Sequence, residues 1–285
     1  MLDCVITPFT GDNPATIASL PLSPMDCIIS LGTSTTLLLT TNTYKPSPSY
    51  HIFNHPTGPN LYFAMLCYKN GSLAREQIRD SLNPSKNSND WTQFNTHLSQ
   101  LPPLCSSPKK LGFYFPLPEI IPDAPNGTWR FEIQQDGIPK LVDTFENGQD
   151  ARAIVESQAL SMRLHSASLL SSGKPKHLYF VGGASRNDDI VSVMSLVLGS
   201  EEGVYRLTEG VTAGACARGS AIKAAWAFAG QNEEFQKFVR GRWNTRGKSD
   251  KLEVGESENV WKEYGDVLDM YEKCEEIILS GKSKE

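Results

Sequence analysis

The order of elements between residues 177 and 228 is the feature that most constrains the fold. His177–Val181, HLYFV, is a short apolar run that predicts a buried strand, and it ends at Gly182-Gly183. A helix is predicted from about Asp188 to Leu198, followed by a strand at GVYRLTE and an alanine-rich helix at AGACARGSAIKAAWAFAG. A strand, a glycine turn, a helix, a strand and a helix in this order are typical of an α/β layer.

Local patterns predict further elements on both sides of this region. Asp26–Thr41 indicates a hairpin of two strands rich in β-branched residues, which turns at Gly32-Thr33-Ser34. Further strands are predicted at Tyr50–Asn54 and Leu61–Tyr68, and helices at NGSLAREQIRDSL, Trp91–Leu98 and Ala151–Leu170. Turns are predicted at Pro102–Gly112 and Pro122–Gly127, and residues 231–285 are predicted to be helices with a polar loop at Gly241–Gly255.

Composition excludes several classes of function. The net charge is −5 and the basic residues are spread along the chain, so no nucleic-acid-binding surface is indicated. The six cysteines form no CxxC pair and several lie in apolar runs, which favours reduced thiols in a cytoplasmic protein over disulfides or a zinc site. We expect no membrane span and no signal peptide, because no apolar stretch is long enough and MLDCVITPF lacks a basic start.

Two turns carry groups that suit phosphate oxygens. SLGTST offers consecutive amides and two hydroxyls at a hairpin tip, although a plain hairpin with small turn residues is commoner in general. FVGGASRNDD offers two glycines after a buried strand and the amide end of a helix, but it lacks G-x-G-x-x-G spacing, and a tight strand-to-helix turn also explains the glycines. Two such turns in one α/β domain favour the phosphate interpretation of the hairpin.

The stretch TGDNPAT contains a candidate catalytic carboxylate. Pro14 suits the first position of a helix and Asn13 suits its cap, which leaves Asp12 unexplained. A carboxylate held there could accept the proton of a hydroxyl that attacks a phosphoryl group. The ordinary alternative is an acidic first-turn residue favoured by the helix dipole, and the spacing alone favours that alternative.

Six segments together resemble a known family. They resemble the C-terminal half of the fungal D-xylulose kinases, a branch of the FGGY carbohydrate kinases, whose fold is actin-like (ribonuclease H-like). The resemblance extends over roughly residues 1–240, and the order and spacing of the segments make it specific. The segments are FTGDNPATIASLPL, IISLGTSTTLLLT, FNHPTGPNLYFAMLCYKNGSLARE, LGFYFPLPEI, YFVGGASRND and GACARGSAIKAAWAF.

The resemblance implies an α/β domain with a mixed sheet flanked by helices and a C-terminal helical extension. Residues 1–24 would be an interdomain segment carrying the base, 25–230 the C-terminal actin-like domain, and 231–285 a helical tail. The implied activity is transfer of a phosphoryl group from ATP, with Mg²⁺, to D-xylulose. Association as a homodimer is left open.

The resemblance also assigns roles to single residues. Asp12 would be the general base and Asn13 a sugar contact. Trp91 would lie near the nucleotide, with a core anchor as the open alternative. The remaining implied nucleotide contacts are the second phosphate loop, Gly32, Thr33 and Ser34, and the adenosine motif, Gly182, Gly183 and Asn187. We therefore expect the phosphate loop and the adenosine motif to converge on one triphosphate, with Asp12 at its reactive end.

One departure from the family limits the expected activity. The family has a first phosphate hairpin of D-x-G-T type whose aspartate organises the metal, and this sequence contains no D-x-G-T. We therefore assign no metal ligand here and expect the N-terminal domain to be missing. Weak binding of adenine nucleotide with negligible phosphorylation of xylulose is the resulting expectation.

Three other classes of protein are alternatives to this resemblance. A related FGGY kinase for another sugar or polyol would keep the nucleotide motifs. A nucleotide-binding or interaction module without catalysis would keep the fold. A dehydrogenase is disfavoured, because no G-x-G-x-x-G with an acidic residue about 20 positions later is present.

Overall fold

The predicted hairpin near the N-terminus is confirmed. In a computed structural model, β1 (Cys27–Leu31) pairs antiparallel with β2 (Thr35–Thr41), with Leu31 opposite Thr35 on either side of the turn. The structure describes residues 6–8, 10–85, 88–105, 107–146, 148–208, 214–229, 232–242, 249–253 and 258–281.

The main sheet is mixed, as predicted. Its order is β10-β9-β8-β1-β2-β4-β3 over the part of the chain that the structure describes, and β8 lies parallel to both β1 and β9 whereas the other pairs are antiparallel. A second sheet has the order β5-β6-β7. The strands after the hairpin are β3 (His51–Asn54), β4 (Tyr62–Tyr68), β5 (Lys109–Phe115), β6 (Gly127–Ile133), β7 (Pro139–Val142), β8 (His177–Val181), β9 (Gly203–Leu207) and β10 (Ser249–Leu252).

Helices cover the main sheet, and the predicted ones are present. The helix expected from Asp188 to Leu198 has these bounds, and the one expected at Ala151–Leu170 ends earlier, in a 3-10 turn at Ala167–Leu169. The helices are α1 (Asp12–Ala18), α2 (Ser72–Leu82), α3 (Thr92–Gln100), α4 (Gln149–Ser166), α5 (Asp188–Leu198), α6 (Ala215–Phe228), α7 (Phe235–Arg242), α8 (Glu258–Gly265) and α9 (Leu268–Leu279).

The two faces of the main sheet carry different helices. Successive side chains of a strand point to opposite faces. Ile29 of β1 belongs to the large buried cluster that also contains Ile154 of α4 and Ile190 of α5. Ile28 belongs to a separate cluster with Ile17 of α1. Helix α1 therefore packs on one face, and α4 and α5 pack on the other, together with α2, whose Ala74 and Ile78 are in the large cluster.

The second sheet corrects the predicted turn at Pro102–Gly112. Strand β5 begins at Lys109, and its central residues are buried against the core. Gly112 lies inside the strand because the ring of Tyr114 fills the space beside it: a Cβ there would lie 2.4 Å from the Tyr114 hydroxyl. The glycine that suggested a turn is therefore a packing position within a strand.

The C-terminal region corrects the predicted loop at Gly241–Gly255. Ser249–Leu252 forms β10, which pairs antiparallel with β9 at the edge of the main sheet. Residues 243–248 and 254–257 lie outside the described residues. Helices are found at α7, α8 and α9, as expected for this region, and Tyr264, Tyr271 and Cys274 from α8 and α9 are buried in the large cluster.

No disulfide joins the cysteines that the structure describes. They are Cys27, Cys67, Cys105, Cys216 and Cys274, and Cys4 lies outside the described residues. Within the same described part of the chain, no helix has both the length and the apolar character needed to cross a membrane.

Candidate functional site

The β1–β2 turn presents free amides at its tip. The Gly32 amide donates to the Ser34 carbonyl (3.1 Å), while the carbonyls of Gly32 and Thr33 accept from the Ser72 amide of α2 (3.3 and 3.0 Å). Thr33 and Ser34 are exposed, and within the described chain their amides make no hydrogen bond. The turn can therefore donate two amide hydrogen bonds to an oxygen-rich ligand.

Two side chains from distant parts of the sequence, those of Glu119 and Gln158, fix residues 69–71, the segment that packs against this turn. The Glu119 carboxylate accepts from the amides of Lys69 (2.6 Å) and Asn70 (3.0 Å). The Gln158 side-chain amide donates to the carbonyls of Asn70 (2.9 Å) and Gly71 (3.0 Å). Gly71 packs against the hairpin so closely that a Cβ would lie 2.7 Å from the Thr33 carbonyl oxygen. No pattern in the sequence indicates these contacts of Glu119 and Gln158 with residues 69–71.

The two glycines after β8 have different surroundings. Gly182 has φ +91°, and a Cβ there would lie 2.6 Å from the Leu31 carbonyl oxygen of β1. A Cβ on Gly183 would meet no described atom within 4 Å. Asn187 is the N-cap of α5: its Oδ1 accepts from the Ile190 amide (3.2 Å), and its Nδ2 donates to Oδ1 of Asn95 (2.7 Å). The turn is therefore held to both β1 and α3.

A cavity of about 680 Å³ lies where these turns meet, at the carboxyl ends of β1 and β8. Among the predicted site residues, those that line it are Gly32, Thr33, Trp91, Gly183 and Asn187. Polar and charged lining residues that were not predicted as site residues are Ser72, Arg75, Glu76, Arg79, Asn95, Arg186, Asp188 and Asp189. The volume lies within the usual range for small-molecule sites.

Trp91 forms an aromatic wall of the cavity. The Arg79 guanidinium lies 4.8 Å from the centroid of its ring, and Phe94 meets the ring edge-on at 5.1 Å. The indole also packs against the large core cluster. The two interpretations of Trp91, core anchor and cavity residue, are thus compatible.

Charged groups of both signs line the cavity. Arg75 is fully buried, and its Nη1 donates to Oε1 of Gln158 (2.5 Å). Burial lowers the pKa of its guanidinium to about 10, although the charge of Glu76 acts in the opposite direction. Arg75 therefore remains a buried cation at neutral pH. At the first turn of α5, burial raises the pKa of the Asp189 carboxyl, and the charge of Asp188 raises it further.

The other predicted site residues lie outside the cavity lining. Ser34 is exposed beside it, and Gly182 contacts the backbone of β1 instead. Asp12 and Asn13 lie on α1, which packs on the opposite face of the sheet from α2 and α5. The structure thus brings the two turns together in one cavity, and the lining of that cavity does not include Asp12.

The start of α1 differs from the prediction. The helix begins at Asp12, with Gly11 as its N-cap, so Asn13 is not the cap and Pro14 lies within the first turn. Proline fits there because the first-turn amides of a helix lack intrahelical partners. Asp12 is exposed, and its Oδ1 accepts from the Asn13 amide (2.8 Å), while the Asn13 side chain contacts Sδ of Met65 (3.1 Å).

The part of the chain that the structure describes contains no metal site built from protein side chains alone. Over this part of the chain no group of three or more His, Cys, Asp or Glu side chains is placed to hold a metal ion. Hard cations such as Mg²⁺ need oxygen ligands. We therefore derive no step through a metal bound by this chain alone.

Comparison with known proteins identifies the family. The family model described as FGGY family of carbohydrate kinases, C-terminal domain, matches residues 27–228. Two curated relatives, both named probable D-xylulose kinase A, come from Arthroderma otae (44% identical) and Aspergillus terreus (45% identical), each over 298 aligned residues. These alignments cover 97% and 99% of this chain and 52% of each relative. The chain therefore spans about half the length of the curated relatives it matches.

Solved structures agree in fold. A xylulose kinase from Rhodospirillum rubrum superposes with a TM-score of 0.68 at 16% identity, covering 92% of this chain and 49% of that one. A ligand-bound xylulose kinase from Lactobacillus acidophilus gives 0.70 at 14% identity, covering 95% and 51%. The fold is thus the actin-like one that the resemblance implied. Because the family model matches most of the sequence, this chain belongs to the FGGY family of carbohydrate kinases.

Proposed function

We propose that the cavity binds ATP, and that the chain supplies this part of a kinase that converts D-xylulose to D-xylulose 5-phosphate. The observation that carries the proposal is the meeting of the hairpin tip and the glycine turn, more than 140 residues apart in sequence, in one cavity of about 680 Å³. The names of the curated relatives support D-xylulose as the acceptor.

The lining residues suggest how the nucleotide lies. The exposed amides of Thr33 and Ser34 can donate to phosphoryl oxygens. Trp91 offers a flat wall for the adenine ring, and Gly183, with no side chain, leaves room for adenosine to approach the backbone. The side-chain amide of Asn187 donates to Asn95 and accepts from the Ile190 amide, so we assign Asn187 the role of shaping the pocket wall.

Asp12 and Asn13 stay proposals as general base and sugar contact. Neither residue lines the cavity, and α1 packs on the opposite face of the sheet from α2, so we propose that this chain alone does not bring base and nucleotide together. Phosphoryl transfer depends mainly on positioning and charge stabilisation, so separated groups lose most of the rate. We therefore expect the 285-residue chain to bind nucleotide with negligible turnover, which is also the behaviour of a non-catalytic binding module.

Titration of the purified chain with ATP tests the binding proposal. Calorimetry should show saturable binding at one site. Trp91→Leu should weaken it about 10-fold, since stacking of a base on an aromatic ring contributes ~1–3 kcal/mol. Trp129→Leu is the matched control, because Trp129 is also partly buried against the core but does not line the cavity. Absence of ATP binding, or equal losses in the two variants, would contradict the proposal.

A coupled assay with MgATP and D-xylulose tests the expectation about turnover. We expect no rate above background from the chain alone. A rate in the usual enzyme range of about 1–10³ s⁻¹ would show that the residues of this chain suffice for catalysis. That result would leave the kinase assignment intact and remove the non-catalytic alternative.

A further inference from the structure

Arg75 is a buried cation that the fold leaves partly unsatisfied. Its side chain is fully buried on α2, and one guanidinium nitrogen, Nη1, donates to Gln158. Its Nε and Nη2 are buried without a hydrogen-bond partner among the described residues. An unpartnered buried donor on a charged group is costly, so a structural role alone does not account for this arrangement.

No acidic side chain in the described structure neutralises this guanidinium. Glu76, the next residue, is the acidic group whose charge acts on Arg75, yet no ion pair joins the two within that part of the chain. The pKa of Arg75, lowered to about 10 by burial, keeps it charged at neutral pH. The protein thus maintains a positive charge beside the cavity that Arg75 lines.

Arg75 is held by Gln158, the same side chain that fixes the segment supporting the phosphate-binding turn. Gln158, which accepts from Arg75, also donates to the carbonyls of Asn70 and Gly71. The next residue, Ser72, donates to the carbonyls of Gly32 and Thr33 at the hairpin tip. The guanidinium and the free amides of the turn are therefore fixed relative to each other before any ligand binds, which favours preorganised recognition of one anion.

The opposite end of the cavity carries charges of both signs. Asp188 and Asp189 lie in the first turn of α5, Arg186 precedes them, and Asp188 pairs with Arg206. Because the unpartnered nitrogens of Arg75 and the free amides of the hairpin tip lie at the α2 end, a nucleotide would place its phosphates there and its base towards Gly183 and Trp91.

We propose that Arg75 binds a phosphate group of the nucleotide through its Nε and Nη2. These two nitrogens form one edge of the planar guanidinium, which matches two oxygens of a phosphate. The inference rests on the proposed nucleotide site and assigns to Arg75 a side-chain contact that a nucleotide makes and a nucleoside does not.

Comparison of ADP with adenosine tests this assignment. Arg75→Met should weaken ADP binding about 10-fold or more, because hydrogen bonds to charged groups contribute ~1.5–3 kcal/mol. It should leave adenosine affinity unchanged. Arg75→Lys, which keeps the charge but not the paired donors, should weaken ADP binding by a smaller factor.

Arg163→Lys is the matched control. Arg163 is also buried, with a pKa lowered to about 10 by burial, but its Nη1 donates to the carbonyls of Val197 and Trp261, away from the cavity. It should change stability without changing the ratio of ADP to adenosine affinity. Equal losses for ADP and adenosine in the Arg75 variants would overturn the phosphate role, while ADP and adenosine both failing to bind the unchanged chain would overturn the proposed site itself.

A measurement on the unchanged chain covers the case in which Arg75→Met does not fold. The arginine Nε–H resonances of ¹⁵N-labelled protein, assigned with Arg75→Lys, should show the Arg75 signal moving with ADP and not with adenosine. An Arg75 signal that ADP does not shift would exclude the contact.

Discussion

Gly182 and Gly183 show how much one residue's surroundings decide its role. The backbone of Gly182 has φ +91° and lies against the Leu31 carbonyl, so any side chain there is both strained and obstructed. Gly183 lines the cavity and has open space beside it among the described atoms. The first glycine thus joins β8 to β1, and the second is available to a ligand.

Alanine substitution should separate these roles. Gly182→Ala should lower the free energy of unfolding by about 1–3 kcal/mol, because it forces a side chain into a positive-φ, crowded position. Gly183→Ala should leave stability nearly unchanged and weaken ATP binding, because the new methyl group occupies the cavity. Urea unfolding and calorimetric titration measure the two effects. A larger loss of stability for Gly183→Ala than for Gly182→Ala would contradict the distinction.

Residues with local signals could be predicted from the sequence, and those defined by long-range contacts could not. Thr33 and Gly183 stand in turns whose composition indicates a ligand, and both line the cavity. Arg75 stands in an ordinary helical pattern, and its importance depends on Gln158, which lies 83 positions later. Glu119 supports the hairpin across a separation of about 50 positions. No pattern in a single sequence marks such partners.

The same distinction between local signals and long-range contacts applies to helices and strands. The hairpin, α2 and α5 each have a clear hydrophobic periodicity and turn or capping residues at their ends, so the predicted bounds are close to the observed ones. Strand β10 is short and polar, and only its pairing with β9 makes it a strand. The second sheet was missed because its prolines and glycines indicate turns, whereas burial against the core stabilises β5.

Contact between α1 and α6 fixes the helix that carries Asp12. A Cβ on Gly219 of α6 would lie 1.7 Å from the Ala15 carbonyl oxygen of α1. Ala18, on the same helix, packs in a small buried cluster with Phe235 and Val239 of α7. Backbone meets backbone at Gly219, so no rotamer change can relieve a side chain there.

Gly219→Ala should therefore displace α1 and destabilise the chain. We expect a loss of about 1–3 kcal/mol, the usual cost of overpacking, although alanine favours the helix itself. Gly241→Ala is the control, since it lies in α7 and its added Cβ would meet no described atom within 4 Å. Urea unfolding should show the control at or slightly above the parent stability. Equal stability of the two variants would mean that α1 does not pack on α6 as described.

The C-terminal helices belong to the main core. Within the buried interior, Arg152 of α4 donates to Glu156 (2.6 Å), and the Tyr264 hydroxyl of α8 donates to Glu156 (2.6 Å) while accepting from Arg152 (2.9 Å). Burial raises the pKa of the Glu156 carboxyl, and the charge of Arg152 opposes this shift. The Tyr264 hydroxyl thus connects α8 to both Arg152 and Glu156, and each of these buried charged groups would lose a hydrogen-bonding partner without it.

Tyr264→Phe should therefore destabilise the entire chain and not only its end. We expect a loss of about 1–3 kcal/mol, because a buried ion pair loses a shared hydrogen-bonding partner. Far-ultraviolet circular dichroism and tryptophan fluorescence should still give one coincident thermal transition at a lower midpoint, since α8 and α9 unfold together with the sheet. Tyr44→Phe, at an exposed position, should match the parent. A separate early transition in Tyr264→Phe would instead identify 231–285 as an independently folding tail, loosely attached to the sheet by β10.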